Sequence, residues 1–144
     1  IKNRTMNRIV MEKTEGDFGF DIKDEKNHLL QTDSSEESGG TNYGFRPMQL
    51  LLSALGSCSA IDMIAILKKQ KQTIRQFKIT VEGEREEGKI PSLWKAIKIS
   101  FIIQGVDKDK AEKAAFLSMD KYCSVAETLR RGGTAITYEI NVID

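Results

Sequence analysis

The stretch that decides the fold is GGTNYGFRPMQLLLSALGSCSAIDMIAILKKQ, from Gly39 to Gln70. Pro47 suits the first turn of a helix, because its φ is already near the helical value and its missing N–H would have no partner there. From Leu50 to Leu67 the residues are mostly Leu, Ile, Ala and Met, and Asp62 carries the only charge. A helix that is apolar nearly all round is buried. The sequence therefore predicts a central helix over 47–70 inside the protein.

A membrane span is the alternative interpretation of this helix. A span needs about 20 predominantly apolar residues. Here serines and a glycine interrupt the middle of the run, Asp62 adds a charge, and the segment ends on Lys68 and Lys69. We therefore expect a core helix and no membrane partner. A chain of 144 residues has little material to wrap so long a helix, so a second copy of the chain is the expected source of further cover.

The composition indicates an ordinary soluble globular protein, with 40% hydrophobic and 30% charged residues. The 22 basic side chains nearly cancel the 21 acidic ones, leaving a net charge of +1, so we expect no nucleic-acid partner. The first residues are polar and basic with no apolar core, so no secretory signal is visible and a cytoplasmic location is expected. Because Ile1 is not an initiator methionine, processing upstream of it stays open.

The periodicity of apolar residues predicts an α+β fold in a single domain over 1–144. The expected elements are N-terminal strands within 6–31, a Ser-, Glu- and Gly-rich loop at 32–46, the central helix, strands at 77–86 and 94–104, helices at 108–121 and 125–131, and a strand at 135–143. The strands at 77–86 and 94–104 should pair antiparallel. Helices are expected to cover antiparallel sheet.

The two cysteines, Cys58 and Cys123, lie far apart and fit no CxxC pattern. With one histidine in the chain, cysteine and histidine alone cannot assemble a common zinc site, so we expect no metal and no cofactor. Without an export signal a structural disulfide is not expected either. Free cysteine often behaves as a small hydrophobic residue in the core. The two thiols are therefore either inert core residues or a working redox pair.

The two thiols have different sequence surroundings. Ser124 and Glu127 have the spacing of a capping box, which predicts Ser124 as the N-cap of a helix and a lowered pKa for the neighbouring Cys123. Burial in an apolar helix and the charge of Asp62 one turn later both disfavour a thiolate at Cys58. A reactive Cys58 therefore needs a cation that the fold brings to it.

The two cysteine segments resemble the paired motifs of the OsmC/Ohr family, which comprises osmotically inducible and organic hydroperoxide resistance proteins. The first segment is Gly39-Gly40 followed by PMQLLLSALGSC from Pro47 to Cys58, and the second is YCSVAETL from Tyr122 to Leu129. The resemblance implies an OsmC-like fold in an intertwined homodimer. The two long helices would be central, and a site at the subunit interface would contain both cysteines.

By the same resemblance, Cys58 matches the peroxidatic thiol. Its thiolate would attack an organic hydroperoxide and become a sulfenic acid. Cys123 matches the resolving thiol, which would condense with the sulfenic acid to a disulfide that a dithiol reductant then reduces. This cycle requires no metal.

The sequence departs from the family pattern at the partners of the reactive thiol. Family members pair it with an arginine from the N-terminal strands and an acidic residue just after the proline. Here Met48 and Gln49 occupy the positions after the proline, and the chain between Val10 and Tyr43 contains no arginine.

Other residues are candidates for these missing partners. Arg46 is the nearest arginine in sequence, Arg4 and Arg8 depend on the placement of the strands, and Gln49 offers a hydrogen bond without a charge. Tyr43 and Phe45 are candidates for lining a substrate pocket. The departures keep a second function open, a non-catalytic dimer that binds an apolar small molecule in the interface pocket.

Overall fold

The structure is a computed structural model that describes residues 6–144. The chain forms two compact units, Ile1–Leu51 and Leu52–Asp144. Residues 1–5, which include Arg4 and the start of the predicted domain, lie outside the described residues. The single domain over 1–144 stays a prediction.

The first unit contains a three-stranded antiparallel sheet. Its strands are β1 (Val10–Glu15), β2 (Gly19–Lys23) and β3 (Leu29–Thr32), in the order β1-β2-β3. The predicted N-terminal strands are present, although β1 begins at Val10 rather than at Met6. The turn between β1 and β2 contains Gly16, whose φ of +53° favours glycine.

The loop at 32–46 has more structure than predicted, because Asp33 organises it. The Asp33 carboxylate accepts hydrogen bonds from the backbone N–H groups of Ser34, Thr41 and Tyr43, at 2.7, 2.9 and 3.1 Å. These hydrogen bonds lower the pKa of Asp33, and the bond from Thr41 has the largest effect, with the bond from Tyr43 next. A 3₁₀ turn at Glu36–Ser38 lies within the loop.

The central helix, α1 (Pro47–Lys69), matches the predicted range to within one residue. Its fully buried side chains recur every four residues and are Leu55, Ser59, Met63 and Leu67. The opposite side is not covered, since Ile61 is 64% exposed and Ile64 is 43% exposed. The prediction that the helix is buried on all sides is therefore wrong for a single copy of the chain. By length and composition α1 is also apolar enough to cross a membrane, but its buried stripe is that of a core helix.

The second unit contains a three-stranded sheet with β5 in the middle. Its strands are β4 (Gln76–Arg85), β5 (Trp94–Gln104) and β6 (Ala135–Ile143). β4 and β5 pair antiparallel as predicted. β6 runs parallel to β5, which corrects the expectation of antiparallel sheet throughout. The helices between β5 and β6 form the crossover connection that parallel neighbours require.

The core of the second unit lies on the inner face of β5. Its buried residues alternate along the strand as Ile97, Ile99, Phe101 and Ile103. The Phe101 ring lies 6.1 Å from Phe77 and 6.5 Å from Tyr138, measured between centroids. Gly56 of α1 lies so close to the sheet that a Cβ there would be 3.1 Å from Val81 Cγ2. The α1 helix therefore packs closely against this sheet at Gly56.

The crossover contains two helices and a turn between them. The first helix, α2 (Lys108–Leu117), is N-capped by Asp107 as predicted. It ends at Leu117 instead of continuing to residue 121, and a π-helical turn follows at Ser118–Tyr122. The second helix, α3 (Ser124–Arg131), begins one residue earlier than predicted.

Candidate functional site

The second unit brings the two cysteines together with an aspartate. The Sγ atoms of Cys58 and Cys123 and a carboxylate oxygen of Asp62 all lie within 4.8 Å of one another. Cys58 and Asp62 are half-buried, and Cys123 is 4% exposed. We call these three residues the thiol cluster. The cysteines are 65 positions apart in the sequence, so the tertiary structure alone creates this proximity.

The α1 helix supplies two members of the cluster from one face. Cys58 and Asp62 are four residues apart, so their side chains lie one above the other on the helix surface. The neighbouring Ser59 is fully buried, and its hydroxyl donates to the Leu55 carbonyl at 2.8 Å. The full burial of Ser59 shows that α1 is packed against other elements beside the two cluster residues.

The third member, Cys123, directly follows the π-helical turn. The Cys123 N–H donates to the Ser118 carbonyl at 2.8 Å, a bond five residues back that gives the turn its width. The Ser118 hydroxyl lies 3.1 Å from the Ser59 carbonyl oxygen and 3.2 Å from Asp62 Oδ2. Ser118 thus ties the turn to α1 at the cluster itself.

The thiol of Cys123 caps α3. Its Sγ accepts a hydrogen bond from the Ala126 N–H at 3.4 Å, so Cys123 is the N-cap and the prediction of Ser124 is wrong. The capping-box spacing misled because Ser124 is already the first helical residue.

The predicted lowering of the Cys123 pKa is also wrong. Burial raises the pKa of the Cys123 thiol to about 11, and this outweighs the opposing effect of the Ala126 N–H. A sulfur that is removed from water loses more stabilisation of its charge than one amide returns.

Two grooves adjoin the thiol cluster. One has a volume of about 400 Å³ and is lined by Asp62, Ala65, Ile66, Lys69, Gln70, Leu117 and Tyr122. The other has a volume of about 370 Å³ and is lined by residues 121–124 together with Glu127, Thr128 and Arg131. Tyr122 lines both grooves and is half exposed, so both grooves have an aromatic side chain in their lining.

The candidate lining residues of the first unit lie around a single pocket. Tyr43, Phe45, Arg46 and Gln49 all line a cavity of about 540 Å³ that also includes Leu29 and Leu30. The Tyr43 hydroxyl donates to Asp21 and accepts from the Thr14 hydroxyl at 3.2 Å. The hydrogen bond from Tyr43 lowers the pKa of Asp21. Tyr43 therefore has a structural role in this sheet.

Gln49 has a structural role at the start of α1. Its side-chain oxygen accepts from the Arg46 N–H at 3.1 Å, just before the first residue of the helix. This is one half of a capping box. A part for Gln49, Arg46, Tyr43 or Phe45 in a site with the thiols stays a prediction.

The sequence analysis missed Ser118 as a member of the site. Its partner Ser59 lies 59 residues away, so no local pattern indicated the contact. Asp62 did give a signal, since it is the single charge in an apolar helix and lies one turn after Cys58.

Comparison with known proteins agrees with the cysteine motifs. The family model described as OsmC-like protein matches residues 39–139. Protein YhfA of Escherichia coli K12 is 40% identical over 99 residues, which cover 67% of this chain and 72% of YhfA.

Solved structures share the fold over nearly the full chain. A hypothetical protein from Aquifex aeolicus VF5 has a TM-score of 0.79 and 28% identity, covering 97% of this chain and 99% of its own. An organic hydroperoxide resistance protein OsmC from Legionella pneumophila has a TM-score of 0.73 and 15% identity, covering 98% and 100%, which shows the fold alone. Since the family model matches more than half of its residues, this chain belongs to the OsmC-like family.

Proposed function

We propose that the protein is a thiol-dependent peroxidase that reduces organic hydroperoxides through Cys58 and Cys123. The observation that supports this function is the separation of the two sulfur atoms, which is at most 4.8 Å although the residues belong to different elements. A disulfide has an S–S length of about 2.05 Å, so the sulfurs need to approach by less than about 3 Å.

In the first step, the Cys58 thiolate attacks the distal oxygen of the hydroperoxide. An S–O bond forms, the O–O bond breaks, and the alkoxide leaves and takes a proton to become an alcohol. Cys58 is then a sulfenic acid and has lost two electrons to the peroxide. Cys58 is assigned the attack because it is the less buried of the two thiols.

In the second step, the Cys123 sulfur attacks the sulfur of the sulfenic acid. The S–S bond forms, hydroxide leaves Cys58 and, with the proton of the Cys123 thiol, becomes water. A dithiol then reduces the disulfide and is itself oxidised. Burial and a raised pKa suit Cys123 to this later step, because they keep it protonated and unreactive until a sulfenic acid forms beside it.

The grooves beside the cluster favour an apolar hydroperoxide as substrate. Leu117, Ile66 and Ala65 line one groove, and the Tyr122 ring lies at its edge. An alkyl or aryl peroxide has an apolar body that such a surface binds, whereas hydrogen peroxide has none. The Legionella neighbour is named as an organic hydroperoxide resistance protein, which agrees with this substrate class.

A homodimer is part of the proposal. Ile61 and Ile64 leave an apolar side of α1 exposed in one copy of the chain, and 28% of the most apolar window of the helix is buried. Burying an apolar side chain stabilises by about 1.5–3 kcal/mol, so a second α1 packed on this side would stabilise both copies. A cytoplasmic location, where dithiol reductants keep thiols reduced, suits the cycle.

The test is a thiol count after treatment with cumene hydroperoxide. Reduced protein should lose both free thiols at one equivalent of peroxide, form an intramolecular disulfide, and recover both thiols with dithiothreitol. Hydrogen peroxide at the same concentration is the control and should react more slowly. Two free thiols remaining under a large excess of cumene hydroperoxide would exclude the function.

The second candidate is a non-catalytic protein that binds an apolar small molecule. Asp62 favours this candidate, because it places a carboxylate rather than an activating cation within 4.8 Å of both sulfurs. Among residues 6–144, no lysine or arginine forms an ion pair with Asp62. An alkylation series against pH discriminates the two candidates, since the binding protein should keep Cys58 unreactive at neutral pH.

A further inference from the structure

Two thiols and a carboxylate that converge within 4.8 Å are also the ligands of a metal site. Cysteine sulfur and aspartate oxygen are both common zinc ligands, and thiolates select zinc over the hard cations magnesium and calcium. The sequence analysis expected no zinc site because it considered only cysteine and histidine as ligands. The structure adds Asp62 as a third possible ligand. We propose that the reduced protein binds one zinc ion through Cys58, Asp62 and Cys123.

The separations in the cluster fit a tetrahedral zinc ion. Zinc lies about 2.3 Å from thiolate sulfur and about 2.0–2.2 Å from carboxylate oxygen, so two ligands of one ion are about 3.5–3.8 Å apart. The three atoms here are at most 4.8 Å apart, and they need to contract by about 1 Å. Three protein ligands leave the fourth position for water, or for a side chain of a second copy of the chain.

The charges in the cluster favour a cation. Among the described residues Asp62 has no ion-pair partner, and its Oδ2 receives the Ser118 hydroxyl at 3.2 Å. This contact orients the carboxylate, in the way that neighbouring hydrogen bonds orient metal ligands elsewhere. With both thiols ionised, the three side chains carry three negative charges, and a divalent cation neutralises most of them.

Zinc binding also has to remove the protons of the two thiols. Zinc binds the thiolate form of cysteine, so at neutral pH it displaces the protons of both thiols. Zinc affinity should therefore rise with pH between 6 and 8, with two protons released for each ion.

Zinc and the disulfide exclude each other, because both use the same two sulfurs. This consequence rests on the proposed peroxidase function. When a hydroperoxide takes two electrons from the thiols and yields the alcohol and water, the disulfide that forms no longer holds the ion. Zinc would then protect the two reduced thiols and would be released when they are oxidised. Peroxide turnover itself would not require the metal.

The experiment loads reduced, metal-free protein with Zn²⁺ alone or with Co²⁺ alone, in the absence of peroxide. We expect one Zn²⁺ per chain in competition with a chromophoric chelator, and a sulfur-to-cobalt charge-transfer band with Co²⁺. Cys58→Ser and Cys123→Ser should each reduce that band. A stoichiometry well below one, or a cobalt spectrum without sulfur character, would overturn the zinc site.

A matched pair of aspartate variants tests the third ligand. Asp62→Asn keeps the size of the side chain and an acceptor for Ser118, and it should weaken zinc binding at least tenfold. Asp109→Asn, on the exposed first turn of α2, should bind zinc as the unchanged protein does. Equal affinities in the two variants would remove Asp62 from the site. The cobalt spectrum of the unchanged protein still tests the two sulfur ligands if Asp62→Asn fails to fold.

A final measurement separates the zinc site from the peroxidase. Adding cumene hydroperoxide to zinc-loaded protein should release the ion as the thiols disappear. Zinc that stays bound while both thiols resist peroxide would sustain the metal site and exclude the peroxidase. If the metal-free protein forms the disulfide but does not bind Zn²⁺, the peroxidase is supported and the zinc site is excluded.

Discussion

Cys58 and Cys123 carry the same side chain in two different backbone settings. Cys58 lies in the middle of a regular α-helix and is half-buried. Cys123 follows a π-helical turn, is 4% exposed, and accepts the Ala126 N–H as the cap of α3. The first setting leaves the Cys58 residue partly exposed. The second makes the sulfur part of the backbone hydrogen bonding.

Under the proposed function, this difference suits the two thiols to different roles within one site. In the proposed peroxidase, a hydroperoxide would react first at the half-buried Cys58, and the buried Cys123 would be the internal partner that closes the disulfide. Because the Cys123 sulfur accepts the Ala126 N–H, a disulfide at Cys123 would change the cap of α3. Reduction and oxidation should therefore change the stability of α3 as well as the state of the thiols.

The largest expected difference between the two settings is in turnover. Cys58→Ser should lower peroxide consumption by about 100-fold or more, because the attacking atom is gone. Cys123→Ser should consume peroxide once, stall at the sulfenic acid, and gain further oxygen at Cys58 under excess peroxide. Consumption assays without reductant and intact mass spectrometry measure both effects. If the two variants behave alike, the assignment of Cys58 as the attacking thiol and Cys123 as the resolving thiol is wrong.

The next largest effect is on stability against pH. A folded pKa of about 11 against an ordinary value of 9.0 means that the folded chain keeps the Cys123 proton after the unfolded chain has lost it. The stabilisation is therefore fully present below pH 9 and is lost as the pH rises towards 11. Relative to Cys123→Ala, the reduced protein should lose on the order of 2 kcal/mol over this range. Urea unfolding at several pH values would disprove this if the two curves stayed parallel.

A smaller effect tests what holds Cys123 in its setting. Ser118→Ala removes the contacts to the Ser59 carbonyl and to Asp62, and it should lower the free energy of unfolding by about 1–2 kcal/mol and slow disulfide closure. Ser124→Ala is the matched control, and since Ser124 is not the cap it should cost less than about 0.5 kcal/mol. If Ser124→Ala is the more destabilising variant, the capping box predicted from sequence is correct after all.

The smallest expected effect compares the thiols as packing groups at neutral pH. Cys123→Ala should destabilise the reduced protein by about 1 kcal/mol, because the Ala126 N–H loses its acceptor. Cys58→Ala should stay within about 0.5 kcal/mol, since alanine is favourable in a helix and Cys58 is half-buried. Thermal unfolding of both reduced variants measures the difference. A larger loss for Cys58→Ala would mean that it is the structural thiol.

Local patterns in the sequence predicted most elements, for identifiable reasons. The apolar run after Pro47 predicted α1 to within one residue, and the alternation of Ile97, Ile99 and Phe101 predicted β5. Asp107 correctly predicted the start of α2. These features depend on neighbouring residues, whose spacing is visible in the sequence.

Features that depend on distant residues could not be predicted in the same way. The parallel pairing of β6 with β5 depends on how the crossover returns the chain, and the π-helical turn at Ser118–Tyr122 depends on a contact with α1. The raised pKa of Cys123 depends on burial by other elements. Sequence spacing alone predicted the opposite shift, because it shows the helix start and not the loss of water.

The sequence by itself determined the family, the central helix and the identity of the two thiols, because motifs and periodicity are properties of neighbouring residues. The tertiary structure alone decided that the thiols meet, that Asp62 lies with them, and that Cys123 rather than Ser124 caps α3. Cys58 and Cys123 are 65 positions apart in the sequence. The distance between them, their burial and their hydrogen bonds depend on how the helices and strands pack, which the order of the residues alone does not determine.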